Sequence, residues 1–143
     1  MEVSEIFDRM PFSDLLGIEM REIDNGRAVG ELELSIEHSS SPETLIAHGG
    51  VTYALADTVG GAAVISASGT VAPTIDMRID YFSPATSGVL RAEAEVVRNG
   101  NHVAAVVVEI TDEGGTEIAT ARGAYKSGGV EGGSTWLDDS SIE

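Results

Sequence analysis

From Thr44 to Ile75 the chain carries a single formal charge, the carboxylate of Asp57. Elsewhere it is densely acidic, with 24 Asp and Glu among 143 residues. A window of this length with one acid reads as a segment withdrawn from water that keeps that acid for a reason. Within it, residues 47–65, from Ala47-His48-Gly49-Gly50 to Ile65, have the length of a helix. Apolar or small side chains fall on every side of that helix, among them Val51, Ala54, Leu55, Ala56, Val59, Ala62 and Ala63. This is the pattern of a helix wrapped by protein, not of one lying on a surface. An ionised carboxylate in such surroundings is costly unless paired or hydrogen-bonded, and acids placed this way concentrate where acid–base chemistry is done. Asp57 is therefore the first functional candidate. Its structural alternative is a carboxylate that pairs with an arginine in the core or caps a neighbouring loop.

The remainder of the composition sets limits. A chain of 143 residues suits one domain with a real core. Residues 1–127 are expected to form it, and the Gly-, Ser- and acid-rich residues 128–143 to form a disordered tail. The N-terminal residues have no basic stretch followed by an apolar run, and no segment reads as a membrane span, so a cytoplasmic location is expected. There is no cysteine, which excludes disulfides, thiolate nucleophiles and Cys-based metal sites. The net charge is −16, with one Lys (Lys126) against seven Arg. Such a chain can scarcely supply the basic patch that nucleic acid requires. So much self-repulsion is screened where the Debye length falls to about 3 Å, in molar salt, and a halophilic source is expected.

Hydrophobic periodicity gives the remaining elements. Val3, Ile6, Phe7 and Met10 share a helical spacing that Pro11 ends. Leu15 to Glu22 and Ala28 to Ile36 read as a hairpin turned by Asp24-Asn25-Gly26-Arg27, and a loop containing Pro42 leads to the helix. Four alternating runs follow, Ala72 to Phe82, Val89 to Arg98, His102 to Asp112 and Glu117 to Lys126. Turn chemistry separates them, including Asn99-Gly100. A short helix, two strands, one long buried helix and an antiparallel meander make an α+β chain whose sheet must curl around the helix.

The segment His48-Gly49-Gly50, six further residues and then Asp57, together with the strand Asp76-Met77-Arg78-Ile79-Asp80-Tyr81-Phe82-Ser83-Pro84, resembles the hotdog-fold acyl-CoA thioesterases of the phenylacetate-degradation (PaaI-like) group. The resemblance covers roughly residues 12 to 126. It implies a curved antiparallel sheet wrapped around one long helix, an acyl-CoA substrate with no cofactor beyond it, and homodimers or dimers of dimers with shared sites. It also implies roles: Asp57 as nucleophile or general base, the Gly49 N–H on the thioester carbonyl, His48 shaping that loop, and Thr74 orienting water or the carboxylate. Where the family often carries an asparagine, six residues before the histidine, this chain has Pro42, flanked by Ser41 and Glu43.

The same chemistry follows from the residues. Free N–H groups at a helix N-terminus, with the positive end of the helix dipole behind them, can hold a developing oxyanion, and glycine at positions 49 and 50 lets a ligand approach the backbone closely. Thioester hydrolysis needs such a site plus a nucleophile or a base for water, and Asp57 is the available group. Eight residues at 1.5 Å each put Asp57 about 12 Å from Gly49 along the helix, too far for both to act on one thioester carbon. Two chains with antiparallel helices remove the conflict, Gly49 of one facing Asp57 of the other.

For the substrate, Gly50 and Tyr53 line the approach, and Arg98 and Arg122 are the candidates to meet CoA phosphates, with Arg78 and Lys126 behind them. Arginines on strands also commonly serve as cross-strand ion pairs. His38 and His102 show no metal-ligand spacing and read as surface or strand residues. Gly60 and Gly61, each costing about 1 kcal/mol against alanine in mid-helix, point to close packing against a partner helix, the sheet or the acyl group. Two other functions compete: a non-catalytic acyl-CoA-binding module of the same fold, and a hydratase or dehydratase.

Overall fold

The computed structural model describes residues 3–128, so the acidic tail expected over 128–143 lies, but for its first residue, outside the described residues. The chain runs α1 (Val3–Asp8), α2 (Pro11–Leu16), β1 (Ile18–Asp24), β2 (Arg27–Glu33), a 3-10 turn (Ile36–His38), α3 (Gly49–Ser68), β3 (Thr74–Tyr81), β4 (Val89–Asn99), β5 (Val103–Thr111) and β6 (Glu117–Lys126). Pro11 does more than stop the first helix: it begins a second, because proline's fixed φ and missing N–H suit the first helical turn. Gly17, at φ 83°, ends that second helix in the left-handed region, so β1 starts three residues later than the hydrophobic pattern alone suggests. The β1–β2 turn is made by Asn25 and Gly26, both at positive φ (43° and 86°), the pairing that a two-residue hairpin with the right twist demands.

All strand pairs are antiparallel, in the order β1-β2-β4-β5-β6-β3. α3 packs on the inner face, where Leu55, Val59 and Ala63 meet a sheet that contributes Leu32, Leu90, Val106, Val108 and Ile110, all fully buried. The period-2 alternation of β5, with Ala104, Val106, Val108 and Ile110 inward, is what selects that face. This is the hotdog arrangement, a curved sheet around one long helix. By length and apolarity α3 would also serve as a membrane span; here its apolar sides are taken up by the sheet.

The wrapping is uneven along the helix. From Val59 to Ile65 every residue of α3 is buried, but over its first two turns Gly50, Tyr53, Ala54, Asp57 and Thr58 stay exposed or half-buried. These positions recur at three- and four-residue intervals, so they form one stripe. The sheet of this chain covers the rest of the helix and leaves the stripe containing the carboxylate open.

The two mid-helix glycines answer to the sheet. A Cβ on Gly60 would lie 2.7 Å from the Tyr125 hydroxyl and 3.3 Å from Val106. On Gly61 it would meet the Tyr125 ring at an ordinary 3.5 Å. Gly60 is a notch for the phenol, whereas Gly61 merely borders it. Gly60→Ala is therefore expected to destabilise the protein by about 1–3 kcal/mol through overpacking. Gly61→Ala should be neutral or stabilising by up to about 1 kcal/mol through helix propensity. Thermal denaturation of the two variants side by side checks the opposite signs.

Candidate active site

Three backbone N–H groups open α3, and each has a different fate. His48 is the N-cap, and its Nδ1 accepts from the Gly50 N–H at 2.8 Å. The His48 carbonyl accepts from the Val51 N–H at 2.9 Å. The Gly49 N–H has no acceptor among the described residues. Capping therefore does not consume all the donors of the helix end; it ties down Gly50 and leaves Gly49 open, half-buried at the positive end of the dipole. The Gly49 carbonyl is held from the other side by the Tyr81 hydroxyl at 2.7 Å. Beside it a cavity of about 380 Å³ is lined by Gly49, Thr52, Tyr81, Phe82, Pro84 and Ile118.

His38 sets this corner, and its reading as a surface or strand residue is corrected. It is buried in the 3-10 turn. Its Nε2 lies 2.8 Å from the Leu16 carbonyl and its Nδ1 accepts from the Ser35 N–H at 3.0 Å, an arrangement that requires the neutral Nε2–H tautomer. Its own carbonyl accepts the His48 N–H at 2.8 Å. The spacing Ser35-x-x-His38 is that of a capping box with histidine in the acidic residue's place, and that signal is visible in the sequence. Pro42 sits exposed in the loop between the two histidines. The Ser41 hydroxyl there turns back onto its own loop, accepting from the Glu43 and Thr44 amides at 3.4 Å each.

Two turns along the open stripe, Asp57 is half-buried. The Thr74 hydroxyl donates to Oδ1 at 2.6 Å, and the Tyr125 hydroxyl lies 2.9 Å from the same oxygen and 2.8 Å from the Asp57 carbonyl. Both partners meet Oδ1, so Oδ2 has no partner among the described residues. Burial, then the neighbouring carboxylate, push the Tyr125 phenol well above its ordinary range, so it remains a neutral donor. Tyr125 was missed in the sequence. The available signal was β6 itself, where the inward positions Ala119, Ala121 and Gly123 end in one large hydroxyl-bearing residue, opposite two helical glycines.

Other predicted residues stand elsewhere. Tyr53 donates to the Met77 carbonyl at 3.1 Å, joining α3 to β3. Arg98 and Arg122 are exposed on β4 and β6 and are not brought to the Asp57 cluster. Arg122 lies directly opposite Arg78 in the β3–β6 register. Neither Arg98 nor Arg122 has an acidic partner among the described residues, whereas Arg21, Arg27, Arg78 and Arg91 all do. Gly49 and Asp57 remain about 12 Å apart along an unbroken helix.

The chain matches the family model of the thioesterase superfamily over residues 46–119, the stretch that holds His48, Gly49, Asp57 and Thr74. A crystal structure of a thioesterase-superfamily protein superposes with a TM-score of 0.81 at 35% identity, covering 87% of this chain and 94% of that one. A mutant of the phenylacetic acid degradation protein PaaI from Thermus thermophilus superposes with a TM-score of 0.75 at 30% identity over 82% of this chain and 99% of that one. Human acyl-coenzyme A thioesterase 13 is 32% identical over 100 residues, 68% of this chain and 70% of that protein. The chain belongs to the thioesterase superfamily.

The phenol makes a testable contribution to alkaline stability. Its folded pKa is raised above the ordinary 10.0, so the folded chain keeps a proton that the unfolded chain releases. That contribution is complete below about pH 10 and is lost as pH rises further. Wild type should therefore lose stability above about pH 10 more steeply than Tyr125→Phe, as read by denaturant midpoints across that range.

Proposed function

We propose that the protein hydrolyses acyl-CoA thioesters to the free acid and CoA, at a site composed of Gly49 from one subunit and Asp57 from another. One observation carries the reading: a single helix presents an uncommitted N–H at its start and a carboxylate with one uncommitted oxygen two turns on. The thioester oxygen accepts from the Gly49 N–H, where charge develops as the carbonyl carbon becomes tetrahedral. Oδ2 of Asp57 attacks that carbon or takes the proton of the attacking water. Thr74 and Tyr125 hold Oδ1 in either case. Collapse of the tetrahedral species expels the CoA sulfur as thiolate, which takes up a proton and leaves as the thiol. With water as the nucleophile the free acid forms in this step, whereas direct attack leaves an acyl–Asp57 anhydride that a water then hydrolyses to the free acid, restoring the carboxylate.

A second copy of the chain is the partner that this site requires. β3 is an edge strand, with Ile75, Tyr81 and Phe82 between 50% and 58% exposed on and just beyond it. An exposed apolar edge of this kind invites strand pairing, and pairing β3 to β3 across a two-fold axis would set the two α3 helices antiparallel. Arg98 and Arg122 serve the CoA phosphates. Support comes from their lack of acidic partners among the described residues.

Two measurements test this. In molar KCl, wild type should release free thiol from CoA esters, and Asp57→Asn should lower kcat by about 100-fold or more, the usual worth of a positioned base or nucleophile, while ester binding persists. Binding without thiol release by wild type would favour the non-catalytic module. Arg122→Ser should raise KM for a CoA ester and leave KM for the matching N-acetylcysteamine thioester, which has no phosphates, unchanged. Equal effects on both esters would remove the arginine from phosphate binding.

A further inference from the structure

On the Asp57 side of α3 lies a second cavity, of about 330 Å³, walled by Ile6, Met10 and Phe12 from the α1–α2 segment and by Ala54, Thr58 and Ile65 from the helix. Val71, Ala72 and Pro73 close its far end, and Asp57, Thr74 and Tyr125 stand at its wall. The hydroxyls of Thr74 and Tyr125 are committed to Asp57, so apart from Thr58 the cavity presents an apolar surface with one reactive carboxylate oxygen. The cavity beside Gly49 differs: Ser83 and the Tyr81 hydroxyl line it along with apolar groups. One chain thus holds an apolar cavity at its carboxylate and a more polar one at its N–H donor. These match the two halves of a thioester, an apolar acyl group and an amide-rich thiol arm.

We infer that the Asp57-side cavity receives the acyl group, and that Met10 and Phe12, at the α1–α2 junction, set the length of chain accepted. This rests on the thioesterase reading above. At about 30 Å³ for each methylene-sized group, the volume of a water, a cavity of about 330 Å³ admits roughly ten heavy atoms. That is a medium-length alkyl chain or a ring on a short arm, and it excludes a long fatty acyl chain unless the wall moves. Of the cavity's lining, Phe7 and Ile65 belong to the main core and Thr74 and Tyr125 to the Asp57 cluster, whereas Met10 and Phe12 are only half-buried or exposed and can change size without disturbing either. Phe12 is 53% exposed, an apolar ring left in water in a chain of net charge −16. A bound acyl chain would withdraw that ring from water.

The test compares acetyl-, octanoyl- and palmitoyl-CoA. Met10→Trp, which narrows the cavity, should lower the octanoyl-to-acetyl ratio of kcat/KM by about 10-fold or more, the scale on which an apolar site discriminates methylenes. Met10→Ala with Phe12→Ala, which opens it, should raise the palmitoyl-to-octanoyl ratio by a similar factor. If both variants hydrolyse all three esters with wild-type ratios, the inference is overturned while the thioesterase reading stands. If wild type hydrolyses none of them, the thioesterase reading fails. The inference is then decided by calorimetric binding of the same esters to the same variants: the octanoyl-to-acetyl affinity ratio must fall for Met10→Trp, and an unchanged ratio overturns it.

Discussion

The Tyr125 hydroxyl lies within hydrogen-bonding reach of both the carbonyl and the carboxylate of Asp57, and much else in the protein is arranged to permit that contact. It requires a helix with a glycine where the ring meets it, because any side chain at position 60 would collide with the phenol oxygen. It requires small residues along the inner side of β6, so that the ring can lean toward the helix: a Cβ on Gly123 would lie 2.9 Å from the Tyr125 ring. It also requires that the phenol stay protonated, which burial enforces. The result is a carboxylate fixed through one oxygen and free at the other. A catalytic group gains most from this kind of support, since its rotamer is set before substrate arrives.

The other half of the site is fixed by capping. His48 satisfies Gly50, the chain's own turn satisfies Val51, and Gly49 keeps its N–H available. Behind His48 stands His38, buried and bonded to Leu16, so that the α2 terminus, the 3-10 turn and the start of α3 form one connected corner. A helix about 12 Å long between the donor and the acid prevents the two halves from meeting in one chain. In the proposed dimer, pairing at the exposed edge of β3 brings the two halves together from different chains. The dense acid surface is separate from this chemistry. On the outer face, arginines such as Arg21 and Arg91 pair with glutamates at 2.6–3.0 Å, exposed contacts that contribute little to stability.

Most of the fold was legible in the sequence because its signals are local. The lone carboxylate in an apolar window located α3, the Asn25-Gly26 and Asn99-Gly100 pairs located hairpins, and alternation located four of the strands. The places where the sequence misled are those where a residue serves a neighbour distant along the chain. Pro11 reads as an end when it is also a beginning, because a proline in isolation does not say which helix it borders. His38 bonds Leu16, 22 residues away, and Tyr125 bonds Asp57, 68 residues away; no periodicity reports such contacts. The glycines at 60 and 61 did signal close packing, but which of the helix's neighbours made it depended on the register of β6. Asp57, Thr74, His48 and Gly49 could be named as candidates from motif and chemistry, while the hydrogen bonds that hold them could not.

The central claim is that each site draws its N–H donor and its acid from different chains, and mixed subunits test it. Gly49→Pro removes the donor: proline suits the first helical position, His48 before it is already extended at φ −60° and ψ 137°, and Gly49 has no positive φ to protect, although a Cβ there would lie 3.1 Å from the Tyr81 hydroxyl, so that ring must shift by a few tenths of an ångström. Paired with Asp57→Asn, each variant by itself should be nearly inactive, every site lacking one component. After subunit exchange half the dimers are mixed, and each mixed dimer holds one site with both components intact, so thiol release should recover to about a quarter of the wild-type rate. Recovery near that level is the predicted result. No recovery despite demonstrated exchange, or full activity in Gly49→Pro alone, would contradict the shared site.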